Sequence, residues 1–228
     1  MDKMIRVYQC EDTVDGILSA IYDAGISGYG HEYIRIEPQS PGYTTNRTLF
    51  SEYITVQTDS GKKDSVIKAV RSKISWKAYA FMMNALASDF SDRGDVVYRF
   101  VAYGFTMGKQ VCEALQLPCV KRIFAINRAV QNEAHYFNEF LRFQEVAQEP
   151  SLLLGVIEPR HHVIPNLMQH FGSAERLEWY CRLSHSVAGG RCGGVGVCTA
   201  GAGETLCASI GLKRRERIGV CTDKRQKS

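Results

Sequence analysis

The sequence lacks any apolar run of the roughly 18 residues that a membrane-spanning helix needs. Its first stretch, Met1 to Gly16, has no apolar leader core and turns acidic by Glu11, so a secretory signal is not expected either. The expectation is a cytoplasmic chain. A strong excess of one charge is also missing: 28 Lys and Arg face 24 Asp and Glu, for a net charge of +4 and a pI of about 8.6. That falls short of a histone-like binder; it permits a nucleic-acid partner without requiring one.

Close cysteine pairs are absent. Eight cysteines occur, with no C-x-x-C among them, which argues against zinc and iron–sulfur sites. In a cytosolic chain they do not read as a disulfide framework. There is no C-x-x-x-C-x-x-C, so the chain is not itself a radical SAM enzyme. The phosphate-cradling P-loop, the G-x-G-x-x-G of dinucleotide binders and the G-x-S-x-G of serine hydrolases are missing as well. No cofactor and no metal are expected.

What is present is ordinary globular composition, 45% hydrophobic and 10% aromatic over 228 residues, enough to bury a core. Met4–Tyr8 and Ile34–Ile36 read as short strands, and Glu52–Thr58 is the clearest strand, alternating and β-branched. Between the first two, Asp12 or Thr13 can cap a helix whose face is Ile17, Leu18, Ile21 and Tyr22. Val66, Ile67, Val70 and Ile74 fit another helix, and Ser75 caps a third over 76–87. Residues 95–107 form a fourth. The longest should run from Cys119 to Phe143, with Val120, Ile123, Val130, Ala134, Phe137 and Leu141 as its buried stripe and Pro118 just before it. A strand over 152–157 and a short helix over 163–171 follow. The reading is α+β: a small mixed or antiparallel sheet with a majority of helices.

Several stretches carry a resemblance. They are Cys10–Ile17 (CEDTVDGI), Leu49–Ile54 (LFSEYI), Tyr103–Gly108 (YGFTMG), Asn132–Phe143 (NEAHYFNEFLRF), and Ile157–Pro165 (IEPRHHVIP) running on to Gln169–Phe171. Together they resemble a family of DNA metabolism and repair proteins whose genes sit beside a radical SAM protein. Some of its members are fused to a domain of the uracil-DNA glycosylase superfamily. The resemblance covers about residues 4–171. It implies a DNA-repair setting, DNA as a partner and a radical SAM protein encoded nearby, without specifying a reaction.

Residues 1–171 are therefore expected to form the family-type domain. Residues 172–228 depart from it: five of the eight cysteines and half of the 20 glycines lie there. The segment Gly189–Cys198 shows neither helical nor strand period. Out-of-frame GC-rich codons produce such a composition, so this tail is expected to be frameshifted or truncated.

Four groups of residues can carry chemistry. Arg128, Asn132, His135, Glu139 and Arg142 form the polar stripe of the long helix, because residues three and four apart are neighbours. Here His135 can work near neutral pH with Glu139 as its acid–base partner, and the arginines can hold phosphate. The same stripe also reads as a solvated face with ion pairs. His161, His162 and His170, with Glu158, lack the spacing of a zincin and read as polar residues at a strand-to-helix turn, His161 being a candidate nucleic-acid contact. The tail cysteines read as inert thiols. Finally, Lys62, Lys63, Lys68, Arg71, Lys73 and Lys77 thicken one region and Lys121, Arg122 and Arg128 another. Tyr79, Phe81, Tyr98, Tyr103 and Tyr136 supply rings that either stack on single strands or pack in the core. The expected contacts are Arg128, Asn132, Arg142 and His161, with His135 and Glu139 as the catalytic pair if the chain is a hydrolase or lyase in its own right. A scaffold that only docks the radical SAM partner is the third reading.

Overall fold

A computed structural model describes residues 4–39, 48–146, 149–155, 157–171, 178–187, 190–198 and 217–220. The chain divides into two compact units, residues 1–130 and 131–228.

The first unit contains β1 (Ile5–Glu11), α1 (Val14–Ile26), β2 (Ile34–Gln39), β3 (Ser51–Thr55), α2 (Ser60–Lys73), α3 (Trp76–Leu86), α4 (Arg93–Met107) and the start of α5 (Pro118–Phe140). Helices α1, α2 and α3 begin where short polar side chains satisfy otherwise unpaired amides. Thr13 Oγ1 accepts from the Gly16 amide at 3.0 Å, and Ser75 Oγ accepts from the Ala78 amide at 3.0 Å. Asp59 does the same for α2, accepting from Gly61 at 2.6 Å and Lys62 at 3.2 Å. β3 ends at Thr55, so Val56, Gln57 and Thr58 of the expected strand fall outside it.

The three strands form one sheet in the order β2-β1-β3, and both pairings are parallel. This corrects the expectation of a mixed or antiparallel sheet here, while the α–β mixture stands. For β1 and β2 the cause is the connection: α1 lies between them, and such a crossover returns the chain to the end from which it started. Consistent with its central place, β1 is buried over four successive residues, Val7 to Cys10, as both faces of a parallel sheet are covered. The core joins Ile17 and Leu18 of α1, Ile34 of β2, Met82 of α3, Phe100 of α4 and Ile123 of α5, all shielded from solvent.

The second unit holds the end of α5, β4 (Phe143–Val146), β5 (Glu149–Gly155), α6 (Ile164–Phe171), β6 (Glu178–Val187), β7 (Gly190–Cys198) and β8 (Arg217–Val220). Its sheet order is β4-β5-β6-β7-β8, with antiparallel β4–β5 and β6–β7 pairs and parallel β5–β6 and β7–β8 pairs. The aperiodic Gly189–Cys198 segment thus contributes a strand. Its glycines carry no side chains to alternate, so a backbone ladder is its only signature. Leu206–Gly211, Cys207, Cys221 and the terminal basic residues Lys213–Arg215 and Lys224–Arg225 lie outside the described residues. Among the described residues, no helix is long and apolar enough to cross a membrane.

Candidate nucleic-acid interface

Helix α5 is two-faced, as its sequence period requires. Val120, Ile123, Ile126, Val130 and Ala134 are buried, each 5% exposed or less. Arg128, Asn132, His135 and Glu139 are exposed, and each lies one turn from the next. Arg128 belongs to the part of the helix in the first unit, the other three to the part in the second. The helix ends at Phe140, three residues short of expectation. Its last bond runs from the Leu141 amide to Phe137 O at 3.0 Å, and Phe143 pairs instead with Gly155 in the β4–β5 ladder. Arg142 therefore sits in the short link between helix and strand, exposed. Phe137 and Leu141 are only half-buried.

Along this face, His135 Nε2 lies 3.1 Å from Glu139 Oε1, with side chains 72% and 52% exposed. A pair this open to water adds little to stability. Tyr136 and Phe140 are exposed beside it, their ring centroids 5.0 Å apart. Of the five aromatics singled out above, Tyr98 is buried, Tyr79 and Phe81 are half-buried, and Tyr103 and Tyr136 face solvent. The edge thus combines cations, amide and imidazole groups with open rings.

Glu133 flanks the stripe and has a role that spacing alone did not assign. Its Oε1 accepts from the Arg160 amide at 2.6 Å and its Oε2 from the His161 amide at 2.8 Å. Both carboxylate oxygens are committed to the backbone of the turn that leads into α6. The turn continues with the Val163 amide donating to His161 O at 2.8 Å, and Val163 O opens the helix by accepting from Asn166 and Leu167. In consequence the His161 side chain is directed inward, 5% exposed, while Arg160 and His162 are exposed. The groups that this turn offers to a ligand are those two neighbours. His170 lies on α6.

Replacing Glu133 with Ala removes two charge-assisted bonds, each worth about 1.5–3 kcal/mol where well shielded. The Arg160 and His161 amides are then expected to exchange with solvent at least about tenfold faster, as read by hydrogen–deuterium exchange. Unchanged exchange would show that the carboxylate does not hold the turn.

A second polar cluster lies in the first unit, around the strand-to-helix turn after β1. Asp12 Oδ1 pairs with the Arg93 guanidinium at the start of α4. Asp92 receives both Arg122 Nε at 2.7 Å and Arg122 Nη2 at 2.9 Å, and these bonds hold its carboxyl below the usual range. Asp95 accepts from Arg99 Nε at 2.9 Å, yet burial pushes its carboxyl up. Burial likewise pushes the Cys10 thiol up to about 12, so it is not a ready nucleophile. Arg122, which the sequence placed in a basic patch, is neutralised by Asp92 and tethers α5 to the start of α4. Among the described residues, no three or more His, Cys, Asp or Glu are grouped to hold a metal ion.

Residues 91–180 match the family model of a domain of unknown function, DUF4130. The matched stretch contains α4, the whole of α5, the Glu133-bound turn and α6, and it ends at residue 180, nine residues into the Cys- and Gly-rich tail that begins at 172. No curated protein matches the chain.

Proposed function

We propose that this chain is a DNA-metabolism accessory protein that holds nucleic acid through the exposed edge of α5 for a radical SAM partner. The observation that carries the reading is the edge itself. Arg128, Asn132, His135 and Arg142 all face solvent on or beside one helix, a donor-rich strip suited to phosphate oxygens. Arginine holds phosphate by paired hydrogen bonds. The resemblance of Asn132–Phe143 and Ile157–Pro165 to the DNA metabolism and repair family supports the DNA setting and the radical SAM partner.

One observation favours a second reading, a stand-alone hydrolase or lyase on damaged bases. His135 and Glu139 are in contact at 3.1 Å, the geometry of a general base and its orienting carboxylate. Against it stands their exposure: in open water such a pair gains little of the electrostatic leverage that a closed site supplies. The third reading, a scaffold, needs no polar stripe.

Purified chain with the neighbouring radical SAM protein and lesion-bearing duplexes separates the three. The accessory reading expects co-purification with the partner, DNA binding by the chain that His135→Ala weakens, and no turnover by the chain alone. Turnover by the chain alone that His135→Ala and Glu139→Gln both abolish overturns it in favour of the enzyme. Co-purification without any DNA binding overturns it in favour of the scaffold.

A further inference from the structure

The corner between α2 and α3 presents a second surface, in the first unit, that the α5 edge does not use. Trp76 opens α3 and is 62% exposed. The Arg71 guanidinium stacks over its ring, 4.6 Å from the centroid, and Tyr79 packs against it at 5.1 Å. Phe105 of α4 is 50% exposed, and Lys73 Nζ lies 6.0 Å from its centroid. This closeness depends on Gly104. A Cβ at that position would come within 2.5 Å of Ile74 Cδ1, so the bare glycine lets α4 press against the corner and bring Phe105 beside Lys73.

The charges here differ from others on the same helix. Lys62 and Lys63 are neutralised by Asp23 and Asp15 at 2.7 and 3.1 Å. Lys68, Arg71, Lys73 and Lys77 are exposed, and among the described residues none of them forms an ion pair with a carboxylate. A largely exposed indole held in place by its neighbours, a second open ring and four cations without a carboxylate partner are the parts from which non-specific single-strand binders are made. Aromatic faces take up unstacked bases, and the cations follow the backbone. A duplex keeps its bases stacked inside and offers no face to Trp76. We infer that this corner binds single-stranded nucleic acid, with a base stacked on Trp76 and the flanking phosphates held by Arg71, Lys73 and Lys77. Such a surface would take the strand that is exposed when a duplex opens.

The probe is a fluorescein-labelled dT15 strand, titrated with the full chain and followed by anisotropy. Trp76→Ala is expected to weaken dT15 binding about tenfold, whereas Trp76→Phe, which keeps a ring, retains most of the affinity. Lys73→Ala with Lys77→Ala lowers the dependence on salt, and the two Trp76 variants leave duplex binding as in wild type. Because Trp76 is on the surface, these substitutions spare the fold, which circular dichroism verifies. Equal dT15 affinity for wild type and Trp76→Ala overturns the inference. So does equally tight binding of an abasic phosphodiester strand or of an acidic peptide, either of which makes the corner a generic polyanion or protein-docking surface. The result is independent of the α5 edge: Arg128→Ala with Arg142→Ala tests that edge on duplex DNA and leaves the Trp76 signal untouched.

Discussion

Replacing Phe100 with Ala is expected to destabilise the first unit by about 3–5 kcal/mol, the cost of emptying a fully enclosed aromatic site. Phe100 is 0% exposed and lies in the middle of α4 within the core shared by β1, α1, α3 and α5. Its neighbours Val97 and Val101 are themselves 0% and 2% exposed, and a close-packed interior collapses only partly into a void. Stability of a domain this size is about 5–15 kcal/mol, so the variant should unfold at markedly lower urea. Urea titration followed by far-ultraviolet circular dichroism measures it. A midpoint equal to wild type would mean that Phe100 is not enclosed as described.

The second large effect concerns binding. Removing Arg128 and Arg142 together is expected to weaken duplex DNA binding about 100-fold at low salt. A hydrogen bond to a charged group is worth about 1.5–3 kcal/mol, roughly a decade or more for each arginine. Both side chains are exposed, so the loss shrinks as salt screens the contacts. Neither substitution empties the core, because the buried stripe of α5 is carried by Val120, Ile123, Ile126, Val130 and Ala134. Stability should therefore change far less than affinity, which distinguishes this variant from Phe100→Ala. A loss that varied from one DNA sequence to another would instead indicate base-edge contacts.

Local signals were legible in the sequence. The caps at Thr13 and Ser75 and the buried stripe of α5 follow from short-range rules, because a hydroxyl three residues before an amide, or an apolar residue every third or fourth place, needs no knowledge of the rest of the chain. Features that depend on distant partners were not legible. Strand direction is one: β1, β2 and β3 have similar periods in either orientation, and for β1 and β2 it is the crossover through α1 that makes them parallel. The Asp12–Arg93 pair joins residues 81 apart in sequence, and Glu133 reaches amides 27 and 28 residues on.

The candidate site shows the same division. Arg128, Asn132, His135 and Glu139 stand outward as the helix period dictates. His161 lies inward because Glu133 sets the turn, which no spacing rule registers. The end of α5 was misplaced by three residues, since nothing at Leu141 or Arg142 stops a helix and the β4–β5 ladder decides. Tyr103 and Tyr136 were equally hard to place. An aromatic residue at a helical position reads as core until the neighbouring elements are known to leave it uncovered.

The most direct measurement is the salt dependence of duplex binding, taken as the slope of log K against log of the potassium chloride concentration. Each phosphate neutralised on duplex DNA contributes about −0.9 to that slope. If α5 grips the backbone as proposed, the wild-type chain shows a clearly negative slope and the Arg128→Ala, Arg142→Ala variant shows one shallower by about 2. A slope near zero for the wild type, or one that the double substitution leaves unchanged, would contradict the account.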